Sequence, residues 1–235
     1  MSASRLPGKP LLRINGLPII SHVFNKAKKT NIGKVVVCTQ DNEIMNEVKK
    51  NGGEAILTSN KHKSGSDRIF EGFKKLNTKN IDYILNLQGD EPNIDEKDII
   101  NLNKLMIKNK TDLGTLATEI KNKSILSNEN VVKVILKEKL SDKNFPIAFN
   151  FSRKNLSNIE ENIYHHIGIY IYKVSVLEKF VNLNQTRSET KFRLEQLRAL
   201  DNGIKINVAL AKSSPIGIDT EEDFLALKKI MEYKS

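Results

Sequence analysis

The chain has 235 residues, 39% of them hydrophobic, and no low-complexity block, which suits a single domain of roughly residues 1–235 with an ordinary core. Its single cysteine, Cys38, excludes an internal disulfide and a cysteine-based zinc cluster and fits a reducing cytoplasm; no apolar run is long enough to span a membrane, and residues 1–7 carry no apolar export region. The net charge of +10, from 38 Lys+Arg against 28 Asp+Glu, is scattered along the chain, and with 6% aromatic residues and no Trp it reads as solvated surface rather than a nucleic-acid face.

The chain opens with a loop, Leu6-Pro7-Gly8-Lys9-Pro10, with Arg5 and Lys9 on either side of the glycine. A short extended piece, 11–14, meets the strong turn signal Asn15-Gly16, and Pro18 then starts a helix with Ile19, Ile20, Val23, Phe24 and Ala27 on one face. Residues 34–39 read as a buried strand. Asp41 or Asn42 caps a helix that ends at Gly52-Gly53, and 54–58 is a second short strand. A polar loop, His62-Lys63-Ser64-Gly65-Ser66-Asp67-Arg68, runs into a helix carrying Ile69, Phe70, Phe73 and Leu76. Next comes the strand Tyr83-Ile84-Leu85-Asn86-Leu87, and then a helix starting near Asp95. Alternation of strand and helix predicts a mostly parallel α/β sheet here. The second half differs: strands at 113–120, 131–136, 147–151 and 164–172 follow with few helices between, which predicts a small antiparallel lobe roughly within 113–200. Helices at 174–181 and 195–200, a strand at 204–210 and a closing helix at 220–233 complete the chain.

Three stretches carry chemistry. The strand at 83–87 stops abruptly at Gln88-Gly89-Asp90-Glu91-Pro92. In open α/β sheets ligands bind at the carboxyl ends of strands, so Asp90 stands where a carboxylate can hold Mg2+ and, through it, phosphates; the plainer reading makes Asp90 a turn or helix cap. Before the closing helix, Asp219 or Thr220 with Asp223 reads as a helix cap, while Asp219 also follows a sheet element and can pair with Asp90 around a metal. In the opening loop, Arg5 and Lys9 supply charge opposite to a triphosphate and Gly8 lets backbone approach it. The loop is not a P-loop, since Gly-x-x-x-x-Gly-Lys-[Ser/Thr] is absent.

In order, the blocks Arg5-Leu-Pro-Gly-Lys9-Pro, Ser64-Gly-Ser-Asp-Arg68, Gln88-Gly-Asp-Glu-Pro92, Asn130-Val-Val-Lys-Val134, Phe151-Ser-Arg153, His166-Ile-Gly-Ile-Tyr170, Leu194-Glu-Gln-Leu-Arg198 and Gly217-Ile-Asp-Thr220 resemble the 3-deoxy-manno-octulosonate (Kdo) cytidylyltransferases, the CMP-Kdo synthetases of lipopolysaccharide synthesis. The likeness covers nearly the whole chain. It implies a nucleotide-diphospho-sugar-transferase-like (Rossmann-like) fold, a mixed sheet flanked by helices, in a cytoplasmic homodimer. It also implies a reaction: the anomeric hydroxyl of a 2-keto-3-deoxy sugar acid attacks the α-phosphorus of CTP, with Mg2+ as cofactor and pyrophosphate as leaving group. By the same resemblance Asp90 and Asp219 hold the metal and are catalytic with Lys9. Arg5 and Lys9 hold the triphosphate, and Ser64, Gly65, Ser66, Asp67, Arg68 and Gln88 line the cytidine pocket. Arg153 pairs with the sugar carboxylate, while His166, Tyr170, Glu195 and Gln196 bond the sugar hydroxyls. Without the family, His166 and Tyr170 would read as packed strand residues, Glu195 and Gln196 as helix surface, and Lys133 as a surface cation.

Two departures from the family pattern carry expectations. An apolar first strand ending in Pro-Ala-Arg normally precedes the opening loop; residues 1–4 stand in its place, so codons upstream of Met1 are expected to encode it, the alternative being a truncated, inactive nucleotide- or sugar-binding homologue. After Arg153 the family continues with prolines and a further basic residue, whereas Lys154-Asn155-Leu156-Ser157-Asn158 runs quickly to Tyr164. That leaves an amino-substituted Kdo or a nonulosonic acid open as the sugar.

Overall fold

The structure is a computed structural model that describes residues 6–158, 162–215, 217–218 and 220–233. It divides into two compact units, one made of Met1–Lys79, Leu87–Ile99 and Pro215–Ser235, the other of Asn80–Asn86 and Ile100–Ser214.

In the first unit, one 3-10 turn at Lys9–Leu11 leads into a two-stranded hairpin, β1 (Arg13–Ile14) with β2 (Leu17–Pro18). Asn15 and Gly16 turn it with φ of 50° and 76°, the left-handed pair that a tight hairpin requires. Helix α1 (Ile19–Lys29) starts directly after Pro18 and buries Ile19, Ile20, Val23 and Phe24. Strand β3 (Val37–Thr39) pairs in parallel with β4 (Ala55–Leu57) across α2 (Asn42–Lys50), whose first turn is held by the Asp41 carboxylate accepting from Glu43 N at 2.9 Å. The strand expected over 34–39 is thus shorter and only partly buried: residues 35–38 keep intermediate exposure, because β3 has a ladder partner on one side only among the described residues. Helix α3 (Gly65–Leu76) begins earlier than expected. Ser64 is its N-cap, accepting from Asp67 N at 3.2 Å, so Gly65 to Arg68 form its first turn rather than a loop. Gly72 lets α3 lie against β3, since a Cβ there would collide with Cys38 Sγ. Burial pushes the Cys38 thiol up to about 11, which keeps it a neutral packing group. The closing helix (Glu221–Glu232) starts on a reciprocal cap between Thr220 and Asp223. Its Leu227 joins Ile14, Ile19 and Ile218 in a core flanked by Leu6, Leu12, Phe224 and Met231.

The second unit is organised around one long strand. In chain order its elements are β5 (Tyr83–Asn86), the larger part of α4 (Glu96–Asn109), β6 (Leu113–Thr118), α5 (Ser124–Ser127), β7 (Lys133–Leu136), β8 (Ala148–Ser152), β9 (Ile163–Lys173), α6 (Val174–Val181), α7 (Arg187–Phe192), α8 (Gln196–Asp201) and β10 (Asn207–Leu210). Strand β9 pairs antiparallel with β5, β6 and β7; β10 adds to β6 in parallel and β8 to β7 antiparallel, giving a mixed sheet. All six β6 residues are buried, as expected of a strand covered on both faces. Gly114 admits Met106 and Leu102 of α4, which any side chain there would displace. Strands β5 and β7 share one edge of β9 in succession. Asn86 ends β5 opposite Tyr170, and Lys133 begins β7 opposite His165. Between them the edge opens at residues 166–169, where the ladder gives way to a single bond from His166 N to Val132 O at 3.0 Å. Strand ends of this kind are the usual ligand position in α/β sheets.

Candidate active site

The first unit gathers three blocks that lie far apart in sequence. The Lys9 ammonium donates to Asp90 Oδ2 at 2.5 Å and to Ile218 O at 2.6 Å, and Ile218 N donates to Asp90 O at 3.2 Å. Asp90 is therefore not the cap of α4; Asp95 bonds Lys97 N there instead. Of the metal pair expected from sequence, Asp90 lies in this cluster and Asp219 lies outside the described residues, as does Arg5. Ile218, which precedes Asp219, is fully buried in the cluster.

Beside Asp90, Glu91 has Oε2 buried with no hydrogen-bond partner among the described residues. Burial and the charge of Asp90 push its carboxyl up to about 8, with Lys9 opposing. Sequence reasoning passed over Glu91, although it belongs to the same five-residue block; an acidic residue next to a turn gives no local sign of burial.

At the start of α3, Ser66 is buried and Gly65 contributes backbone N–H at the positive end of the helix dipole. Arg68 faces sideways rather than outward: its guanidinium donates to Thr58 Oγ1 at 2.8 Å, to Ser59 O at 3.3 Å and to Gln40 Oε1 at 2.8 Å. It braces the loops after β3 and β4. Glu71, one turn on, receives Ser59 N at 2.9 Å, His62 Nε2 and Lys75 Nζ. The Lys75 bond, then those from Ser59 and His62, hold its carboxyl down to about 2. Gln88 is exposed. Together these bonds tie the His62–Asp67 stretch to the helix behind it.

The second unit holds the residues expected at the sugar. His166 is buried on β9, and its Nε2 is 3.0 Å from Thr115 Oγ1. Thr115 gives its own proton to Ile169 O at 2.7 Å, so the histidine is the donor and its Nδ1 is unprotonated. Burial, then the charges of His165 and Arg153, push His166 down to about 3, so the ring is neutral at physiological pH. The His166 and Tyr170 ring centroids are 5.5 Å apart, and Phe151 meets His166 edge-on at 5.0 Å. The Tyr170 hydroxyl is buried without a partner among the described residues; burial, Tyr172 and the nearby charge of Glu195 hold it protonated. Glu195 is the N-cap of α8 and Gln196 its first residue, and α8 packs on β8. Arg153, just past β8, donates to Asn130 O at 2.8 Å. The structure thus brings Arg153, His166, Tyr170 and Glu195 to one side of the sheet unit, with Gln196 adjoining. It corrects the reading of Lys133 as a surface cation: none of that residue is exposed. Thr115, which sets the His166 tautomer, escaped sequence reasoning because only the β6–β9 register brings it there.

The cytidylyltransferase family profile matches residues 1–206. A 3-deoxy-manno-octulosonate cytidylyltransferase of Afipia carboxidovorans is 42% identical over 232 residues, covering 98% of this chain and 93% of the relative. One of Nitrobacter winogradskyi is 40% identical over 238 residues, covering 98% and 91%. The chain belongs to this cytidylyltransferase family. A solved structure described as CMP:2-keto-3-deoxy-manno-octonic acid synthetase complexed with CTP superposes with a TM-score of 0.88 at 32% identity, over 99% of this chain and 95% of that one. As a family cytidylyltransferase the chain has the mixed α/β architecture expected from its sequence, with the order β10-β6-β9-β7-β8 in the main sheet. Among the described residues no helix is long and apolar enough to cross a membrane.

Proposed function

We propose that this protein couples CTP to a 2-keto-3-deoxy sugar acid, Kdo first among them, forming a CMP-sugar and pyrophosphate for lipopolysaccharide synthesis. The observation that carries this reading is the Lys9–Asp90–Ile218 cluster, which joins the first, third and last of the sequence blocks in one place. Displacement at phosphorus needs neutralisation of the phosphate oxygens and in-line positioning more than covalent help. Lys9, with Arg5, supplies positive charge for the triphosphate and its departing pyrophosphate. The Ser64 to Arg68 turn and Gln88 supply backbone and amide groups that can read a pyrimidine edge. On the sugar side Arg153 pairs with the carboxylate, while the neutral His166 ring, the Tyr170 hydroxyl, Glu195 and Gln196 bond the hydroxyls.

The donor set suits Mg2+. Asp90 offers a hard oxygen ligand that already faces a cation, the Lys9 ammonium, and Glu91 adds a second carboxyl alongside. Asp90 and Asp219 are assigned as its ligands, Asp219 from the sequence blocks. When bound, the metal would polarise the α-phosphate and neutralise charge on the phosphates. In the absence of nucleotide, Lys9 serves Asp90 as counter-ion; it is then available to transfer its contact to phosphate oxygen. The sheet unit, through the β8 edge with Phe149 and Ile147 exposed, is the face we assign to homodimer formation. A reducing cytoplasm, where CTP is available, suits a chain with one unpaired cysteine.

The test is pyrophosphate release from CTP with a panel of acids, namely Kdo, its 8-amino analogue and a nonulosonic acid. Release with Kdo and Mg2+, lost on chelation, is the expected result. No release with Kdo but release with a relative overturns the Kdo assignment, and release with none overturns the reaction.

A further inference from the structure

Lys133 belongs to a sequence block that the proposed reaction leaves without a task, and it is the most deeply buried charge among the described residues: 0% exposed, against 2% for Arg198 and 3% for Asp98. A buried ammonium is strongly unfavourable unless its protons are satisfied. Arg198 is answered by a carboxylate, donating to Glu189 Oε2 at 2.9 Å and to Oε1 at 2.5 Å. Among the described residues no carboxylate pairs with Lys133. Its Nζ donates instead to two backbone carbonyls, Asn128 O at 2.9 Å and Arg153 O at 3.1 Å. Burial and the charge of Arg153 lower its affinity for the proton, and Glu129 offsets them in part. A hydrophobic residue of the same length would avoid desolvating a charge but leave these two carbonyls without their donor, so what the ammonium supplies here is the tie between them.

The purpose of that tie follows from where the two carbonyls lie. Asn128 is in the turn before β7, and Arg153 follows β8, the strand that pairs with β7 in the register Lys133↔Ser152. Arg153 returns the bond: its Nη1 donates to Asn130 O at 2.8 Å. The side chain of Lys133 thus holds the backbone of Arg153, and the side chain of Arg153 holds the backbone of the turn that precedes Lys133. This closed loop of bonds fixes both ends of the arginine, its Cα and its guanidinium. The loop lies beside the opening in the β9 edge, where His165 stands directly opposite Lys133 and His166 follows it.

We propose that Lys133 is a positioning residue for the sugar-acid site, holding Arg153 in the orientation that meets the substrate carboxylate. The inference rests on the assignment of Arg153 made above. A merely structural strut would lower stability and disturb both substrates alike; a positioning residue acts on the sugar acid and acts through Arg153.

The experiment compares wild type, Lys133→Met, Arg153→Gln and the double variant in the complete chain, by steady-state pyrophosphate release. Lys133→Met is expected to raise the KM for the sugar acid about 10-fold or more while the KM for CTP stays within about 2-fold. The double variant is expected to be no worse than Arg153→Gln, since effects that run through one residue do not add. An unchanged sugar-acid KM in Lys133→Met, or additive effects in the double variant, overturns the inference. A normal sugar-acid KM in Arg153→Gln overturns the Arg153 assignment and this inference with it, whereas a raised KM there beside a normal one in Lys133→Met overturns this inference alone. If Lys133→Met does not fold, the wild-type enzyme decides through its lysine ζ-15N NMR spectrum. The protected ammonium signal is expected to shift on adding sugar acid and not on adding CTP; no shift with the acid overturns the proposal.

Discussion

Two ion pairs, one from each unit, handle charge in opposite ways. In the first, the Lys9–Asp90 pair keeps 11% and 29% of its side-chain surface exposed. In the second, the Arg198–Glu189 pair is sealed in, although Lys212 and Asp142 stand at the surface. The Arg198 and Glu189 side chains keep 3% and 6%, Arg198 lies over the Phe180 ring at 4.7 Å, and Lys133 is wholly enclosed. A partly exposed pair is weaker and more exchangeable than a sealed one, which suits the proposed exchange of a protein partner for a phosphate. A sealed pair is expensive to rearrange, which suits a frame that presents fixed donors to a small polar substrate. On the proposed assignment, the Lys9–Asp90 contact is the one that exchanges and the Arg198–Glu189 contact the one that stays.

The largest effect that would sharpen this contrast is expected at Asp90. On the proposed assignment, in which the Asp90 charge acts at the reacting phosphate, Asp90→Asn should lower turnover on the order of 10³-fold. Its thermal midpoint should stay close to that of wild type; a variant with near-normal pyrophosphate release would remove Asp90 from the mechanism. The reverse pattern is expected in the sheet unit. Glu189→Gln leaves Arg198 buried without its counter-charge and should cost about 3–5 kcal/mol in urea unfolding, with the KM for both substrates unchanged in the folded fraction. Glu189 has its carboxyl held down by the Arg198 bonds and charge in spite of burial, which otherwise raises it. A loss under about 1 kcal/mol, typical of surface pairs, would break the contrast between the units.

The smallest effect concerns the loop brace at Glu71. Its carboxyl is lowered from 4.5 to about 2 in the folded chain, so it contributes stability above pH 4.5 that is lost as pH falls through 2. Glu71→Gln should therefore melt below wild type at pH 7, and the gap should close between pH 4.5 and 2. A gap that stays constant over that range would mean that the Lys75, Ser59 and His62 contacts hold the loop without regard to charge.

Much of this molecule is legible locally. The Asn15-Gly16 hairpin, the Asp41 cap, the Thr220–Asp223 cap and the amphipathic stripe of α1 follow from backbone preferences and spacing alone. So does the alternation that sends His165 and His166 to opposite faces of β9. The order of the motif blocks led to the family, and through it to most residues assigned to the two substrates. Local reading went astray where a residue's surroundings come from elsewhere in the chain. Residues 34–39 have the apolar character of a buried strand, yet their burial depends on neighbouring strands. Asp90 looks like a cap until Lys9, 81 positions earlier, takes its carboxylate.

What the amino-acid sequence determined by itself was the set of elements, their caps and the identity of the chemical groups, because those depend on interactions within a few residues. What only the tertiary structure decided was which groups lose water. Glu91, Thr115 and Lys133 are ordinary polar residues in sequence; strand register and loop closure buried Thr115 and Lys133 whole and Glu91 at its Oε2. Desolvation is a property of everything packed around an atom, and no short stretch of chain contains that information.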